Sequence, residues 1–399
     1  MATLAITVLS AHAQDTTQTK MEPLVGANFD GWKQLGGKAK YEIADGVVIG
    51  TSMPKTPNSF LTTEKRYGDF VLEYEFKVDE ELNSGVQIRS NSIPDYRNGQ
   101  VHGYQVEIDP DTKRNRMWTA GIYDEGRRGW LNDLVKNDAA REAFNPGDWN
   151  KIRVEAIGDH IRTWLNDVPA ADLVDSMTQT GFIGLQVHGI GNDESKLGKQ
   201  VRWRNIHIAD LGRHEWQPIF DGKTLDGWKP MPGGKWEVVD GAIHGTSSKD
   251  EPRHGILLSD AVYDDFTIRF LFKVVSGDSG FYFRAEPVDG GVSLHGFQAE
   301  VDTTTETGGL YETGGRAWVS KPTYGEKDNQ KIYRPGEWNE MTVSAHGTRV
   351  VVHVNGNKTA ELMDDQKGRL KGNLGLQLHG GQDMDVFFKQ IERLMPVAR

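Results

Sequence analysis

Two copies of one domain-length pattern make up most of the sequence, and this duplication limits the folds open to the chain. Asp30-Gly31-Trp32 recurs as Asp226-Gly227-Trp228, and Asn83-Ser84-Gly85 recurs as Asp278-Ser279-Gly280. The copies are offset by about 190 residues, far more than the repeat of a solenoid or a propeller. The 399 residues therefore predict two similar domains, each large enough to bury its own core.

We place the first domain at residues 22–211 and the second at residues 216–397, with the boundary in the short segment 212–217. Residues 1–13 precede both copies and resemble a secretory signal peptide, because an apolar run is followed by the small-x-small sequence Ala11-His12-Ala13. The usual basic start is missing, so an unstructured leader is the alternative. The signal-peptide interpretation predicts an exported protein, periplasmic or extracellular.

Composition excludes several kinds of site and partner. The chain has no cysteine, which rules out disulfides, thiolate metal sites and cysteine nucleophiles. A net charge of −11, with no cluster of Lys and Arg, argues against nucleic acid as a partner. No apolar run approaches the roughly 18 residues that a membrane span needs. The oligomeric state is not indicated.

Short alternating apolar segments separated by Gly-rich turns predict an all-β protein. The segments predicted as strands are 70–78, 151–156, 161–165 and 181–187 in the first copy and 266–274, 341–345, 350–354 and 374–378 in the second. Residues 132–144 are the best candidate for a short helix. The fold class is therefore predicted as two tandem β-sandwiches of the jelly-roll type.

Polar residues recur on one face of these predicted strands. Side chains two apart in a strand share a face, so Gln105, Glu107 and Asp109 lie opposite the core-forming Tyr104, Val106 and Ile108. Neighbouring strands are predicted to add further polar groups to this face: Arg89, Gln186 and His188. The corresponding residues of the second copy are Arg284, Gln298, Glu300, Asp302, Gln377 and His379.

Carboxylates, an arginine, a histidine and amides on one face suit sugar hydroxyls and acid–base chemistry. The alternative is an ordinary polar sheet face. Glu107 and Asp109 would be roughly 6–7 Å apart along a strand, which does not separate a retaining from an inverting glycosidase. Glu107 and His188 are also weak candidates for ligands of a divalent metal, although no compact ligand motif is present and the sequence requires no cofactor.

A Gly-rich loop after the carboxylate strand adds candidates that differ between the copies. Tyr123, Arg128 and Trp130, together with His102 at the start of the carboxylate strand, are predicted to bind substrate; Glu125 is a possible catalytic group. The second copy keeps the counterparts His295, Tyr311, Arg316 and Trp318. Glu125 is replaced there by Thr313, so activity is expected in the first copy. The tryptophans are as readily explained by packing against their own sandwich as by stacking on a sugar.

The ordered motifs resemble the 3-keto-disaccharide hydrolase domain family. They are Asn83-Ser84-Gly85, His102-Gly103-Tyr104-Gln105-Val106-Glu107, Gly121-Ile122-Tyr123, Trp149-Asn150, Leu185-Gln186-Val187-His188-Gly189, Trp203-Arg204-Asn205-Ile206 and Leu225-Asp226-Gly227-Trp228. The resemblance covers both copies. It implies a concanavalin A-like lectin/glucanase sandwich in exported bacterial proteins, and action on glycosides whose C3 hydroxyl has been oxidised to a ketone. Family members usually read Tyr-Glu-x-Gln, whereas both copies here place an aromatic residue before Gln-x-Glu.

The resemblance implies a glycoside-cleaving enzyme that works by removal of the C2 proton, elimination and hydration. Glu107 or His188 would be the base, and Arg89 or a metal would stabilise the enolate oxygen. The alternative is a tandem carbohydrate-binding protein without turnover. Direct hydrolysis of a β-glucan is disfavoured, because the Glu-x-Asp-x-x-Glu run of such enzymes is absent.

Overall fold

The structure is a computed structural model that describes residues 20–111, 113–288, 294–324 and 332–398. The chain separates into two compact units. One contains the chain up to Ile157 with Ile161–Leu173 and Thr180–Leu211; the other contains Gly158–His160, Val174–Gln179 and the chain from Gly212 onward. Residues 1–13, predicted as a signal peptide, lie outside the described residues.

The elements are almost all strands. Up to the boundary at Gly212 they are β1 Glu22–Pro23, β2 Trp32–Gly36, β3 Lys40–Ala44, β4 Val47–Thr51, β5 Ser59–Thr63, β6 Asp69–Val78, β7 Ser84–Asn91, β8 His102–Ile108, β9 Pro110–Asp111, β10 Arg116–Met117, β11 Ile122–Glu125, β12 Gly129–Asn132, α1 Asp138–Glu142, β13 Asn150–Ile157, β14 His160–Leu165, β15 Val168–Val174, β16 Phe182–Val187 and β17 Gln200–Pro218. Two short 3-10 turns, Arg97–Gly99 and Glu194–Lys196, complete this part.

The rest of the chain repeats the pattern. Its strands are β18 Trp228–Pro230, β19 Lys235–Val239, β20 Ala242–Ser247, β21 Gly255–Tyr263, β22 Phe266–Ser276, β23 Ser279–Pro287, β24 Leu294–Val301, β25 Leu310–Thr313, β26 Ala317–Ser320, β27 Asn339–His346, β28 Arg349–Val354, β29 Asn357–Leu362, β30 Gly372–Leu378 and β31 Met384–Val397. The segment 212–217, expected to join the domains, continues β17 as a strand.

Each unit is a sandwich of two antiparallel layers. In the first sandwich a seven-stranded sheet has the order β12-β11-β8-β7-β16-β5-β2 and faces a layer that contains β15-β14-β13-β6-β17. In the second, a seven-stranded sheet of order β18-β21-β30-β23-β24-β25-β26 faces a layer that contains β31-β22-β27-β28-β29. The predicted all-β class with two tandem sandwiches is confirmed.

The cores follow the alternation read from the sequence. Tyr104, Val106 and Ile108 of β8 are fully buried in one apolar cluster with residues of the opposite layer such as Phe70 and Tyr74. Phe297, Ala299 and Val301 of β24 do the same in the second sandwich. Because every second residue of a strand enters the core, the residues between them are presented on the outer face of the seven-stranded sheet.

The remaining structural predictions hold in most details. All eight predicted strand segments are strands. The helix predicted within 132–144 is present as the short helix α1. Asn150 bonds the backbone of Asn145 and Asp148 and closes the turn before β13. Among the described residues, no helix has the length and apolar character needed to cross a membrane.

Candidate functional site

The predicted polar face exists in the first sandwich, where three neighbouring strands present polar groups away from the core. Gln105 on β8 lies opposite Gln87 on β7 and Tyr123 on β11. Glu107 is two residues along from Gln105, and Glu125 is two residues along from Tyr123. We call the set Gln87, Gln105, Glu107, Tyr123 and Glu125 the polar face.

A chain of hydrogen bonds crosses this face and ends on Glu107. Ser90 Oγ donates to Gln87 Oε1 at 2.6 Å, Gln87 Nε2 donates to Gln105 Oε1, and Gln105 Nε2 donates to Glu107 Oε1. All four side chains are buried. Gly85 makes room for the chain, since a Cβ there would lie 2.6 Å from Gln105 Cγ. The glycine of the Ser84-Gly85 motif is therefore required because the Gln105 side chain packs directly against the backbone at this position.

The Glu107 carboxyl is kept neutral by its surroundings. Burial raises its pKa to about 8, and the nearby carboxylates Asp109 and Glu125 push it in the same direction. Hydrogen bonds from Gln105 and Asn83 lower it in part. Burial also raises the pKa of Glu125. A buried carboxyl among other carboxyls is the arrangement that lets an acid keep its proton at neutral pH.

Asp109 follows β8 and is paired with Arg116. Arg116 Nη2 lies 2.6 Å from Asp109 Oδ2, and Arg116 Nε lies 3.0 Å from the same atom. Burial raises the pKa of Asp109, and the bonds from Arg116 and Asn83 oppose that effect. Asn83 Nδ2 also reaches Glu107 Oε2 at 3.5 Å, so its amide lies between the two carboxyls.

Glu125 is tied to the strand that carries His188. Asn58 Nδ2 donates to Glu125 Oε1 at 3.3 Å, and Asn58 Oδ1 accepts from the backbone N–H of Gly189 at 2.9 Å. The half-buried Asn58 side chain thus links the Glu125 carboxyl to the backbone next to His188.

A cavity of about 880 Å³ opens beside this cluster in the first sandwich. Asn83, Asp109, Arg116 and His188 are among the residues that line it. Its rim is rich in charged side chains, which include Glu81, Asp111, Lys113, Arg114 and Lys196. The volume falls in the range of small-molecule sites, with polar groups converging at one end.

His188 is exposed to this cavity, and its Nδ1 lies 2.8 Å from the Gly189 carbonyl oxygen. Partial desolvation at the cavity wall lowers the pKa of His188. Asp109 acts in the opposite direction. The carbonyl acceptor favours a proton on Nδ1, which leaves Nε2 with a free lone pair.

Arg89 does not reach the polar face, and the prediction that it joins this face is wrong. Its backbone has φ 46° in a β-bulge of β7, so its side chain leaves the strand alternation. It is fully buried and bonds the Gly68 carbonyl at 2.7 Å and Asp69 at 3.1 Å. Arg284 repeats this with φ 48° and bonds to Asp264, Asp265 and Gly347. Both arginines join the two layers of a sandwich.

Arg128 is also placed away from the polar face. Its Nε donates to Asp124 Oδ2 at 2.5 Å, and Asp124 alternates with Tyr123 and Glu125 along β11. Arg127 bonds the other oxygen of Asp124 and lies over the Tyr104 ring. The pair therefore neutralises a buried aspartate, and contact of Arg128 with substrate stays a prediction.

The other predicted binding residues have varied surroundings. His102 Nδ1 lies 2.9 Å from the Gln100 carbonyl oxygen, and its ring packs on Tyr96. Trp130 packs edge-on against Trp118 and Tyr123 and is half-buried. Gln186 is fully buried, and among the described residues neither polar atom of its side chain has a hydrogen-bond partner. Their part in substrate binding stays a prediction.

The second sandwich builds a different network from the same scaffold. Tyr282 stands where the first has Gln87, and its hydroxyl lies 3.0 Å from Thr313 Oγ1 and 3.3 Å from Gln377 Nε2. Gln298 Nε2 donates to Glu300 Oε2 and to Gln377 Oε1. Burial, with Asp278 and Asp302, raises the pKa of Glu300 to about 9.

The remaining second-copy candidates are held by neighbours within that sandwich. Asp302 is capped by Thr304 and Thr307, and Arg316 is paired with Glu312 and Asp365. Further contacts of this group join Tyr311 to Trp318, His379 to His254, and His295 to Gly314.

The donor set does not fit a metal. Within the described part of the chain, no group of three or more His, Asp or Glu side chains is arranged to hold a metal ion. Glu107 and His188 therefore lack a converging third ligand among those types, and we assign no step to a metal.

Sequence reasoning missed Asn58 and Arg116 and named Asn83 only as part of the repeated Asn83-Ser84-Gly85 motif. Asn58 precedes β5, far from the other site residues in sequence, and becomes a neighbour only because β5 pairs with β16. Arg116 follows Asp109 by seven residues, and a charge of opposite sign near a predicted carboxylate was the available signal.

The chain belongs to the 3-keto-alpha-glucoside-1,2-lyase-like domain family, whose model matches residues 20–209 and again 215–393. None of the curated proteins with which the chain was compared matches it in sequence.

Solved structures of similar sandwiches were also found. A Parabacteroides distasonis protein described as a candidate glycosyl hydrolase is 19% identical, covers 46% of this chain and 94% of its own, and has a TM-score of 0.34. The carbohydrate-binding module CBM66 of Bacillus subtilis is 17% identical over 41% of this chain and 93% of its own, with a TM-score of 0.33. A Bacillus subtilis protein of unknown function with a galectin-like fold is 12% identical, covers 46% of this chain and 100% of its own, and has a TM-score of 0.34. We draw nothing about the site from these similarities.

Proposed function

We propose that the first sandwich cleaves glycosides that carry a ketone at C3, by elimination across C1 and C2 followed by hydration. The observation that carries this is the pairing of a neutral histidine, His188, which lines the cavity, with a buried neutral carboxyl, Glu107, which contacts Asn83 of the cavity wall. Membership of the 3-keto-alpha-glucoside-1,2-lyase-like family supports the substrate class. The cavity of about 880 Å³ is large enough for a disaccharide.

In the first step His188 Nε2 takes the proton from C2, whose acidity the neighbouring ketone increases. The electron pair of the C2–H bond forms the C2=C3 bond of an enolate. Arg116 and the Asn83 amide, both at the cavity wall, supply positive charge and a donor for the enolate oxygen. They take the role that the sequence had assigned to Arg89.

In the second step the enolate re-forms the ketone and expels the C1 substituent, which leaves a C1=C2 double bond. The Glu107 carboxyl gives its proton to the departing oxygen as the C1–O bond breaks. Water then adds: Glu107 takes a proton from it as the water oxygen bonds C1, and His188, whose imidazolium proton has exchanged with solvent, gives a proton to C2. The sum is hydrolysis, with both catalytic groups restored.

The experiment is turnover of a 3-keto-disaccharide by the full chain and four variants. Glu107→Gln and His188→Ala should each lower kcat by about 100-fold or more, because each removes a proton-transfer group. Glu300→Gln and His379→Ala are the matched controls and should leave kcat unchanged. Full activity in both first-copy variants would show that Glu107 and His188 are not catalytic. A wild-type protein that does not cleave the 3-keto-disaccharide would show that the proposed activity is wrong.

A carbohydrate-binding role is the second candidate, and one observation favours it for the second sandwich. Tyr282 and Thr313 replace Gln87 and Glu125, so that network has lost one carboxyl and gained two hydroxyls. Retained binding of the unoxidised disaccharide by the double variant Glu107→Gln/His188→Ala would support it. Calorimetric titration is the measurement.

A further inference from the structure

The buried amides behind Glu107 form a directed chain whose members differ from those of the second sandwich. Gly85 and Gly280 are equivalent, so Gln87 corresponds to Tyr282 and Ser90 to Ala285. Gln105 and Glu107 have counterparts in Gln298 and Glu300, but the two residues behind them do not. The differences therefore fall on the residues that orient Gln105.

A primary amide has a donor end and an acceptor end, which makes the direction of the chain readable. The Ser90 hydroxyl is 2.6 Å from Gln87 Oε1 and farther, 3.1 and 3.2 Å, from the carbonyl oxygens of Ile88 and Tyr104, so it donates to Gln87 Oε1 and leaves Gln87 Nε2 to face Gln105. Gln105 must meet that donor with Oε1, which turns its own Nε2 toward Glu107. Each amide is locked by the one before it.

This direction decides which Glu107 oxygen can hold the proton. Oε1 accepts the closer bond, from Gln105 Nε2, whereas Oε2 accepts only a bond of 3.5 Å from Asn83 Nδ2, so the proton of the neutral acid belongs on Oε2. Oε2 is the oxygen beside Asn83, and Asn83 lines the cavity. If the Gln105 amide turned over, its carbonyl oxygen would face Glu107 and draw the proton to Oε1, away from substrate.

We propose that Gln87, held by Ser90, is a positioning residue for the elimination: through Gln105 it keeps the transferable proton on Glu107 Oε2, the oxygen beside Asn83 of the cavity wall. Gln87 does not touch substrate in this account. The inference rests on the proposed function for its catalytic meaning, but the orientation of Glu107 can be measured without turnover. In the second sandwich Gln298 is oriented by Gln377 and Thr313 instead.

The test compares Gln87→Met and Ser90→Ala with Tyr282→Phe, the matched change in the second sandwich, all in the full chain. Gln87→Met should lower kcat by about 10- to 100-fold with KM little changed, since misplacing a proton donor affects the reaction more than binding. Ser90→Ala should do the same to a smaller extent, and it introduces the residue that the second copy already has. Tyr282→Phe should leave kcat unchanged.

The second readout is titration of the Glu107 carboxyl by ¹³C NMR, with the signal assigned by its loss in Glu107→Gln. The Gln105 bond lowers the pKa of Glu107, so weakening it should raise that pKa and move the alkaline limb of the rate profile upward. Unchanged kcat and unchanged titration in both Gln87→Met and Ser90→Ala would overturn the proposal. If the wild-type protein shows no turnover, the proposed function fails, and a raised Glu107 pKa in these variants but not in Tyr282→Phe still supports the orientation by Gln87.

Discussion

At the scale of single residues, the site separates two titratable groups by moving their pKa values in opposite directions. Burial raises the pKa of Glu107 to about 8, and desolvation lowers that of His188. At neutral pH the carboxyl keeps its proton and the imidazole lacks one. Such a pair offers an acid and a base together, which an ordinary exposed glutamate and histidine would not do.

This pairing predicts a bell-shaped dependence of kcat/KM on pH. Activity should fall as pH rises through about 8, because Glu107 then loses the proton it must donate. It should fall on the acid side only below the ordinary histidine range, because the pKa of His188 is lowered. Rates from pH 5 to 10 would check this. A rate that keeps rising above pH 9 would contradict the assignment of Glu107 as the acid.

Arg89 illustrates a residue whose importance is structural. Arg89→Met should destabilise the protein by about 3–5 kcal/mol, since it leaves Asp69 buried without its guanidinium partner. Urea unfolding measures this, with Arg66→Met, an exposed arginine, as the control. Loss of activity without loss of stability would instead return Arg89 to the catalytic set.

At the scale of elements, strand alternation is what the sequence predicts well. The period of two placed Gln105 and Glu107 opposite Tyr104 and Val106, and the structure agrees. It failed at Arg89 because a β-bulge with a left-handed residue inserts an extra step that no side-chain pattern signals. Asn58 was missed for another reason: pairing between distant strands is decided by the whole sheet, not by local sequence.

At Gly85 of strand β7, the backbone lies so close to the Gln105 side chain that only glycine leaves room for it. Gly85→Ala should displace Gln105, since the new Cβ would lie 2.6 Å from its Cγ, and the bond to Glu107 should weaken with it. We expect kcat to fall about 10-fold or more while the fold is retained. Gly26→Ala, where nothing lies within 4 Å of the added Cβ, is the control. Equal activity of the two variants would show that Gln105 does not need its place over Gly85.

At the scale of the whole molecule, one scaffold supports two networks. Ser84 and Ser279 bond the carbonyls of Gln186 and Gln377 at the same distance, 2.6 Å, so the sheets match closely at this point. The duplication predicted this likeness from sequence. It also indicated, through Glu125 and Thr313, that the copies are unequal. The sequence did not indicate that the replacements of Gln87 and Ser90 in the second copy bear on the site, because only the structure shows that both residues are linked to Glu107 by hydrogen bonds.

The most direct measurement follows the hydrogen at C2 of a 3-keto-disaccharide labelled there with deuterium. Elimination and hydration predict that the sugar released at early times has lost the label to water, because His188 exchanges the proton it removed. Labelled product incubated alone under the same conditions corrects for spontaneous exchange. Glu300→Gln should behave as the wild-type protein, and His188→Ala should leave the substrate uncleaved. Product that keeps its deuterium would contradict the account, since the glycosidic bond would then break without removal of the C2 proton.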